Sequence, residues 1–292
     1  SWKWSVSGNI GVNRNEISDL GLLPADFGCL GERVGYYGNS LGDHFGVGHI
    51  FLAGEAPGLF YGYVTQGIVQ KEDITENGIK YIKQDGSVGY YQTVNKTTPV
   101  AGDVKYVDRN GDGVVDDNDR DIIGNPNPDF TYGFQTKVSW KSLSLSASFN
   151  GVQGRDILNV GNRYNNTPGT KSNNVTRKAF QNMWTDENPS NLYPKSTFVV
   201  QNMVMDRYVE DGSYLRCSDI TLSYVLPAKW TNKIGIKNTS VYASVKNAFV
   251  ITDYSGYDPE VNSFAFDGLR PGVDMNSYPT PRSFVFGLNL TF

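Results

Sequence analysis

The stretch that most limits what this chain can fold into is its last one, RSFVFGLNLTF, residues 282–292. Phe284, Phe286, Leu288, Leu290 and Phe292 occupy one parity, and Ser283, Val285, Gly287, Asn289 and Thr291 the other. Successive side chains of a strand point to opposite faces, so this segment has one apolar, aromatic face and one small or polar face. The pattern recurs in WKWSVSGNIGVN, where Trp2, Trp4, Val6, Ile10 and Val12 oppose Lys3, Ser5, Ser7, Asn9 and Asn13. It recurs in FTYGFQTKVSW, with Phe130, Tyr132, Phe134, Val138 and Trp140 on one face, and in LSLSASFN, with Leu143, Leu145, Ala147 and Phe149. Less regular alternation marks further strands near 213–226 and 240–252.

The composition of the polar faces selects between two kinds of β protein. A soluble sandwich turns its polar faces to bulk water and loads them with Lys and Glu. Here they are mostly Ser, Asn, Thr, Gly and Gln, in a chain with 19% charged and 13% aromatic residues. Trp2, Trp4, Trp140 and Phe292 stand at strand ends, where the aromatic girdles of a membrane barrel belong. No run of about 18 apolar residues exists for a membrane helix, but barrel strands need none.

Connection lengths agree. Lys141–Ser142 and the segment around 226–240 are short links, whereas 15–128, 153–212 and 253–281 are long for a compact soluble domain. With Phe292 on the periplasmic side, six strands running alternately up and down place every long connection outside and every short one inside, as in outer-membrane barrels. The reading is therefore all-β: a transmembrane antiparallel β-barrel segment with long extracellular loops. About six strands cannot close alone, since known barrels have about eight or more and open edges are not viable in lipid. The segment is expected to be part of a larger wall.

Inside the first long connection lies DRNGDGVVDDNDR. Asp108, Asn110, Asp112, Val114, Asp116 and Asp119 fall at positions 1, 3, 5, 7, 9 and 12 of a calcium-loop spacing, with Gly113 at the sharp-turn position. Carboxylate and carbonyl oxygens suit a hard cation, so a structural Ca2+ is expected in an acidic unit spanning 103–124. Position 12 is Asp where a bidentate Glu is usual. The flanks, GDVKYV and DIIGNPNPDF, are not the helix pair of an EF-hand.

Other residues carry weaker signals. Cys29 and Cys217 read as isolated thiols, and His44 and His49 as loop histidines without a third ligand nearby. A net charge of -4 without a basic stripe gives no nucleic-acid footprint. Neither a Gly-rich phosphate loop nor a nucleophile elbow is present, so no enzyme is expected. Tyr36, Tyr37, Tyr164, Trp184 and Tyr193, in the outer connections, are aromatics able to stack on sugars or simply to pack loops.

Several stretches together resemble a known family: GDVKYVDRNGDGVVDDNDRDIIGNPNPDFTYGF, RYVEDGSYLRCSDITLSYVLP, NAFVITDYSGYDPEV, YPTPRSFVFGLNLTF and, earlier, GLFYGYVTQGIVQ. In this order they resemble the C-terminal barrel portion of SusC/RagA-type TonB-dependent outer-membrane transporters, across nearly all of residues 1–292. The resemblance implies a barrel of about 22 strands with a plug, import of oligosaccharides or peptides, a SusD-like surface lipoprotein as lid, and energy from the TonB complex. It implies that this chain, starting at Ser1, is the last third or less of such a transporter. The alternative is a calcium-stabilised surface β-domain for binding or adhesion. The stretch 21–57 matches no motif of the family and is expected to be variable outer loop.

Overall fold

The computed structural model of this protein describes residues 1–21, 29–30, 33–42, 46–167, 174–196, 203–231, 236 and 238–291. Six long strands dominate it: β1 (Trp2–Gly11), β2 (Phe130–Trp140), β3 (Leu143–Gln153), β4 (Tyr214–Val225), β5 (Asn238–Thr252) and β6 (Ser283–Thr291). They form one antiparallel sheet in chain order, each strand beside its neighbour in sequence. Strand β2 matches its sequence-predicted bounds residue for residue. Strand β1 stops two residues short of the predicted Asn13, and β3 runs on past Asn150 to Gln153.

The ladder puts like with like. Trp2 pairs with Trp140, Trp140 with Leu143, Leu143 with Tyr224, Tyr224 with Val241 and Val241 with Leu288, one apolar row across the whole sheet. Beside it runs the row Lys3, Ser139, Ser144, Ser223, Tyr242 and Gly287. The rings of Trp2 and Trp140 stack at 5.7 Å, and Phe134 and Phe149 stack at 4.4 Å further up. From Trp140 to Tyr132 a strand advances about 27 Å. A tilt of about 40° reduces that to roughly 20 Å, close to the height of a barrel's apolar band.

Among the described residues the apolar face carries no second layer, and the polar face is met by the outer connections only around Tyr214 and Arg216. On β6 every residue described except Gly287 is exposed, whichever way it points. Trp4 on the apolar face is 74% exposed and Phe286 79%. Burial of apolar surface is the dominant favourable term in folding in water. A sheet that leaves its aromatic face bare is instead built for an apolar surrounding. No helix among the described residues is long and apolar enough to cross a membrane.

The links also divide as expected. Lys141–Ser142 joins β2 to β3, with Lys141 in the left-handed region at φ 52°. Residues 226–237 join β4 to β5 through the short helix Ala228–Thr231. At the opposite end, the described residues of 12–129, 154–213 and 253–282 are not irregular loops. They build a folded body with its own sheets and core. Five strands, Arg120–Gly124, Leu59–Tyr63, His49–Leu52, Arg33–Tyr37 and Cys29–Leu30, form one sheet. The main core joins Phe60, Tyr81 and Tyr106 of the first connection to Leu158 and Met205 of the second and Val273 of the third. The expectation of variable loop over 21–57 is therefore corrected for the described part. HIFL and LFYGY are short continuous apolar runs, and both are buried at every residue. Such runs fit strands covered on both sides.

One smaller expectation changes as well. His49 opens a buried strand and is no loop histidine; it approaches Pro271 O at 2.9 Å through Nε2. His44 lies outside the described residues, as do the side chains of Cys29 and Tyr164 and the whole of Phe292. Cys217 is a buried free thiol.

Candidate functional site

The acidic loop hangs between the strands Val104–Tyr106 and Arg120–Gly124. Its first and last carboxylates are buried, Asp108 to 3% and Asp119 to 0% exposure. Asp108 closes the turn: its Oδ1 accepts from Gly111 N at 2.6 Å and its Oδ2 from Gly113 N at 2.8 Å. Gly111 and Gly113 both have positive φ, 77° and 86°, a conformation that favours glycine. Asp119 returns to the start of the loop, accepting from Arg109 N at 2.7 Å and from Asp116 N at 2.8 Å. Asn110 Oδ1 accepts from Asp112 N, Asp112 Oδ1 from Val114 N, and Asp116 Oδ1 from Asn118 N, each within 2.9 Å. The loop is thus a series of short side-chain-to-amide turns.

The structure brings the predicted set together only in part. Asp108 and Asp119 converge through the backbone of Arg109 and Asn110, and the side chains of Asn110 and Asp112 meet at 3.1 Å. Among the described residues, no three acidic, His or Cys side chains are gathered so as to hold a metal ion. Burial pushes the Asp119 carboxyl up, against the amides of Asp116, Arg109 and Asn110 that pull it down, and the neighbouring Asp108 adds to the rise. The adjacent cation does not relieve this, because Arg109 pairs with Asp121 at 2.6 Å. Most of these carboxylate oxygens accept one amide and keep a second acceptor site, but Asp119 Oδ1 already takes two, from Arg109 N and Asn110 N. The donors are of the oxygen-only kind that hard cations take, but among the described residues they are not gathered into a metal site.

A second cluster, which the sequence did not reveal, ties the outer body to the wall. Arg216 of β4 lies 2.5 Å from Asp258 and 3.3 Å from Glu260, both in the connection 253–282. Tyr214 donates its hydroxyl to Glu260 at 2.7 Å, and Asn150 of β3 donates its amide at 3.0 Å. Hydrogen bonds from Glu260 N and Thr280 N, with the charge of Arg216, hold the Asp258 carboxyl below the usual range in spite of its burial. Only the run DPE in the sequence hinted at this, and nothing local tells which arginine it meets.

The candidate stacking aromatics are mostly engaged in packing. Trp184 is buried and donates Nε1–H to Gln70 at 3.1 Å. Tyr37 stacks on Tyr61 at 5.6 Å, and Tyr36 packs against Phe51. Tyr193 lines a recess of about 220 Å³ with Lys178, Arg207 and Tyr208.

Comparison with known proteins now bears on this geometry. No family model matches the chain. It is 33% identical over 294 residues to the TonB-dependent receptor P3 of Formosa agariphila, covering 99% of this chain and 27% of that protein. It is 29% identical over 301 residues to the TonB-dependent receptor P26 of the same organism, again with 27% of the relative covered. The TonB-dependent receptor SusC of Bacteroides thetaiotaomicron is 34% identical over 194 residues, 64% of this chain and 17% of SusC. Among solved structures, the RagAB peptide transporter superposes with a TM-score of 0.67 over all of this chain at 24% identity. The RagAB peptide importer in its closed-closed state does so with 0.66 at 25% identity. The chain spans about a quarter of the length of the curated relatives it matches. By sequence and by fold, this chain is homologous to a barrel-forming portion of the TonB-dependent receptors, the SusC and RagA-type transporters among them.

Proposed function

We propose that this chain forms part of the wall and outer mouth of a bacterial outer-membrane importer driven through TonB. The observation that carries the reading is the six-stranded sheet whose aromatic, apolar face is bare and whose other face is lined by hydroxyls and amides. In a barrel the first face meets lipid and the second lines the lumen. The alternative, a surface β-domain for binding or adhesion, would bury one face of that sheet against another layer. The cargo in this reading is an oligosaccharide or a peptide, handed over by a SusD-like surface lipoprotein seated on the body formed by the outer connections. The names of the relatives support import, with RagAB described as a peptide transporter.

The reading includes a structural calcium ion in the acidic loop, held by oxygens of Asp108, Asn110, Asp112, Asp116 and Asp119 and the Val114 carbonyl. Its support is the spacing and the burial of two neighbouring carboxylates that, among the described residues, pair with no cationic side chain. The ion would supply that positive charge and pin the loop.

Uptake of labelled oligopeptides and oligosaccharides by cells with and without the gene tests the import reading. Loss of uptake of one class on deletion, and equal loss when TonB is absent, is expected. Uptake of both classes at the parental rate in the deletion strain contradicts it.

A further inference from the structure

At the end of the sheet that carries the short links, cations and aromatic rings meet on the apolar face. Trp140 closes β2, and Lys141 follows it in the link Lys141–Ser142. Lys141 is left-handed, with φ 52°, at a place where two-residue turns favour Gly, Asn or Asp. The lysine side chain does nothing to ease that backbone. Strain of this kind marks a position kept for what it presents. Here it presents an ammonium turned onto the apolar face: Lys141 Nζ lies 4.9 Å from the centroid of the Trp140 ring. The same row of the sheet continues through Leu143 to Tyr224, both exposed on that face.

The next link repeats the combination. Val225 N donates to Ser142 O at 2.9 Å, so the chain leaves β4 directly beside the first link. It enters the helix Ala228–Thr231, where Lys229 and Trp230 are both exposed, Trp230 to 63%. Residues 226–240 hold four lysines and no acidic residue, and Lys141–Ser142 adds a fifth lysine, again without an acid. This end is basic in a chain whose net charge is -4, so its surroundings are selected for the opposite sign. Tryptophan and tyrosine rings settle at the level of lipid headgroups. Lysine lays its stem along apolar surface and carries its ammonium to the polar boundary. An ammonium beside the last aromatic row therefore stands at the height of the headgroup phosphates.

We propose that the two short links form a docking surface for anionic phospholipids, with Lys141 and Lys229 taking the phosphate and the rings of Trp140, Tyr224 and Trp230 lying against the glycerol and upper acyl chains. A zwitterionic headgroup brings its own ammonium and gains little from a second cation. A headgroup with a net negative charge gains from each lysine near it. The proposal goes beyond import and rests on one part of that reading, the sheet as a membrane wall.

The test uses the full-length protein reconstituted in phosphatidylcholine bilayers. Its tryptophan fluorescence is quenched on contact with brominated phosphatidylglycerol or, at the same mole fraction, brominated phosphatidylcholine. The parent protein should prefer phosphatidylglycerol about fivefold or more, the effect of one lysine near an anionic lipid surface. Lys141→Gln and Lys229→Gln should each reduce that preference and together abolish it, whereas Lys141→Arg should retain it. Lys80→Gln, an exposed change in the outer body, should leave it unaltered. No preference in the parent, or an undiminished one in the doubly substituted protein, overturns the proposal. So does loss of the preference in inorganic phosphate but not in chloride of equal ionic strength, which would mark a soluble-anion site. Lys229→Gln keeps the test decisive if Lys141→Gln fails to fold, as judged by heat-dependent gel mobility. Equal quenching by the two lipids removes only the headgroup site. A protein that enters no bilayer and is quenched by neither removes the wall reading instead.

Discussion

Arg216 and Asp258 meet at 2.5 Å, one on a wall strand and the other in the connection between the last two strands, and both are almost fully buried. This pair, with Glu260 beside it, is what fastens the outer body to the inside of the sheet. Removing one partner of a buried pair leaves the other uncompensated, which costs on the order of 3 kcal/mol. Arg216→Ala should therefore release the segment around 253–282, detected as faster protease cleavage there in the outer-membrane protein. Asp258→Asn should do so more weakly, because its amide still accepts a hydrogen bond. Unchanged cleavage in both variants would show that the pair is dispensable for anchoring.

His49 makes the outer body sensitive to acid. Burial, with the nearby charge of Arg270, lowers its pKa to about 4, while the hydrogen bond to Pro271 opposes the shift. An unfolded chain titrates this residue near 6.5. Above that pH both states are neutral. As the pH falls from 6.5 toward 4 the unfolded state takes up the proton first, so stability is lost across that window. Hydrogen exchange of the strands His49–Leu52 and Leu59–Tyr63 should rise as the pH is lowered through it, after correction for intrinsic rates. His49→Gln should flatten that dependence; an equally steep profile in the variant would assign it elsewhere.

Adjacent residues of β3 separate lipid from lumen. Leu145 is exposed on the apolar face, and Ser146 lies on the polar face opposite Lys137 and Thr221. Leu145→Arg should lower barrel stability by about 1–3 kcal/mol, depending on depth, whereas Ser146→Arg should cost little. Urea unfolding in lipid vesicles measures both, and equal costs would argue against a lipid-facing Leu145.

The calcium reading predicts a local effect. Chelation should speed protease cleavage near Gly111 and leave the barrel folded, and Asp119→Asn should mimic chelation. Cleavage indifferent to both calcium and chelator would remove the ion from the account.

How much of this was legible in the sequence depends on the range of the interaction. The strand Phe130–Trp140 could be read to the residue because a period of two, bounded by turn residues, is a local signal. The parity of long and short links could be read for the same reason. The outer body could not. Its sheet pairs Leu59–Tyr63 with Arg120–Gly124, far apart in sequence, and neither alternates. The continuous apolar character of Leu59–Tyr63 is a local signal of a buried strand, whereas Arg120–Gly124 opens on two charged residues and carries none. Of the acidic loop, the spacing marked the sharp turn at Gly113 but neither the turn at Gly111 nor the burial of Asp108 and Asp119. It did not foretell how far the carboxylates turn to backbone amides. The partnership of Arg216 with Asp258 has no local signature at all.

The central claim, that these six strands belong to an outer-membrane barrel, is tested most directly by gel electrophoresis of the outer-membrane fraction, heated and unheated, probed with an antibody to the final strand. The account predicts a band in that fraction whose mobility changes on heating, as a detergent-resistant barrel unfolds. A band found in the soluble fraction, with the same mobility before and after heating, would contradict it.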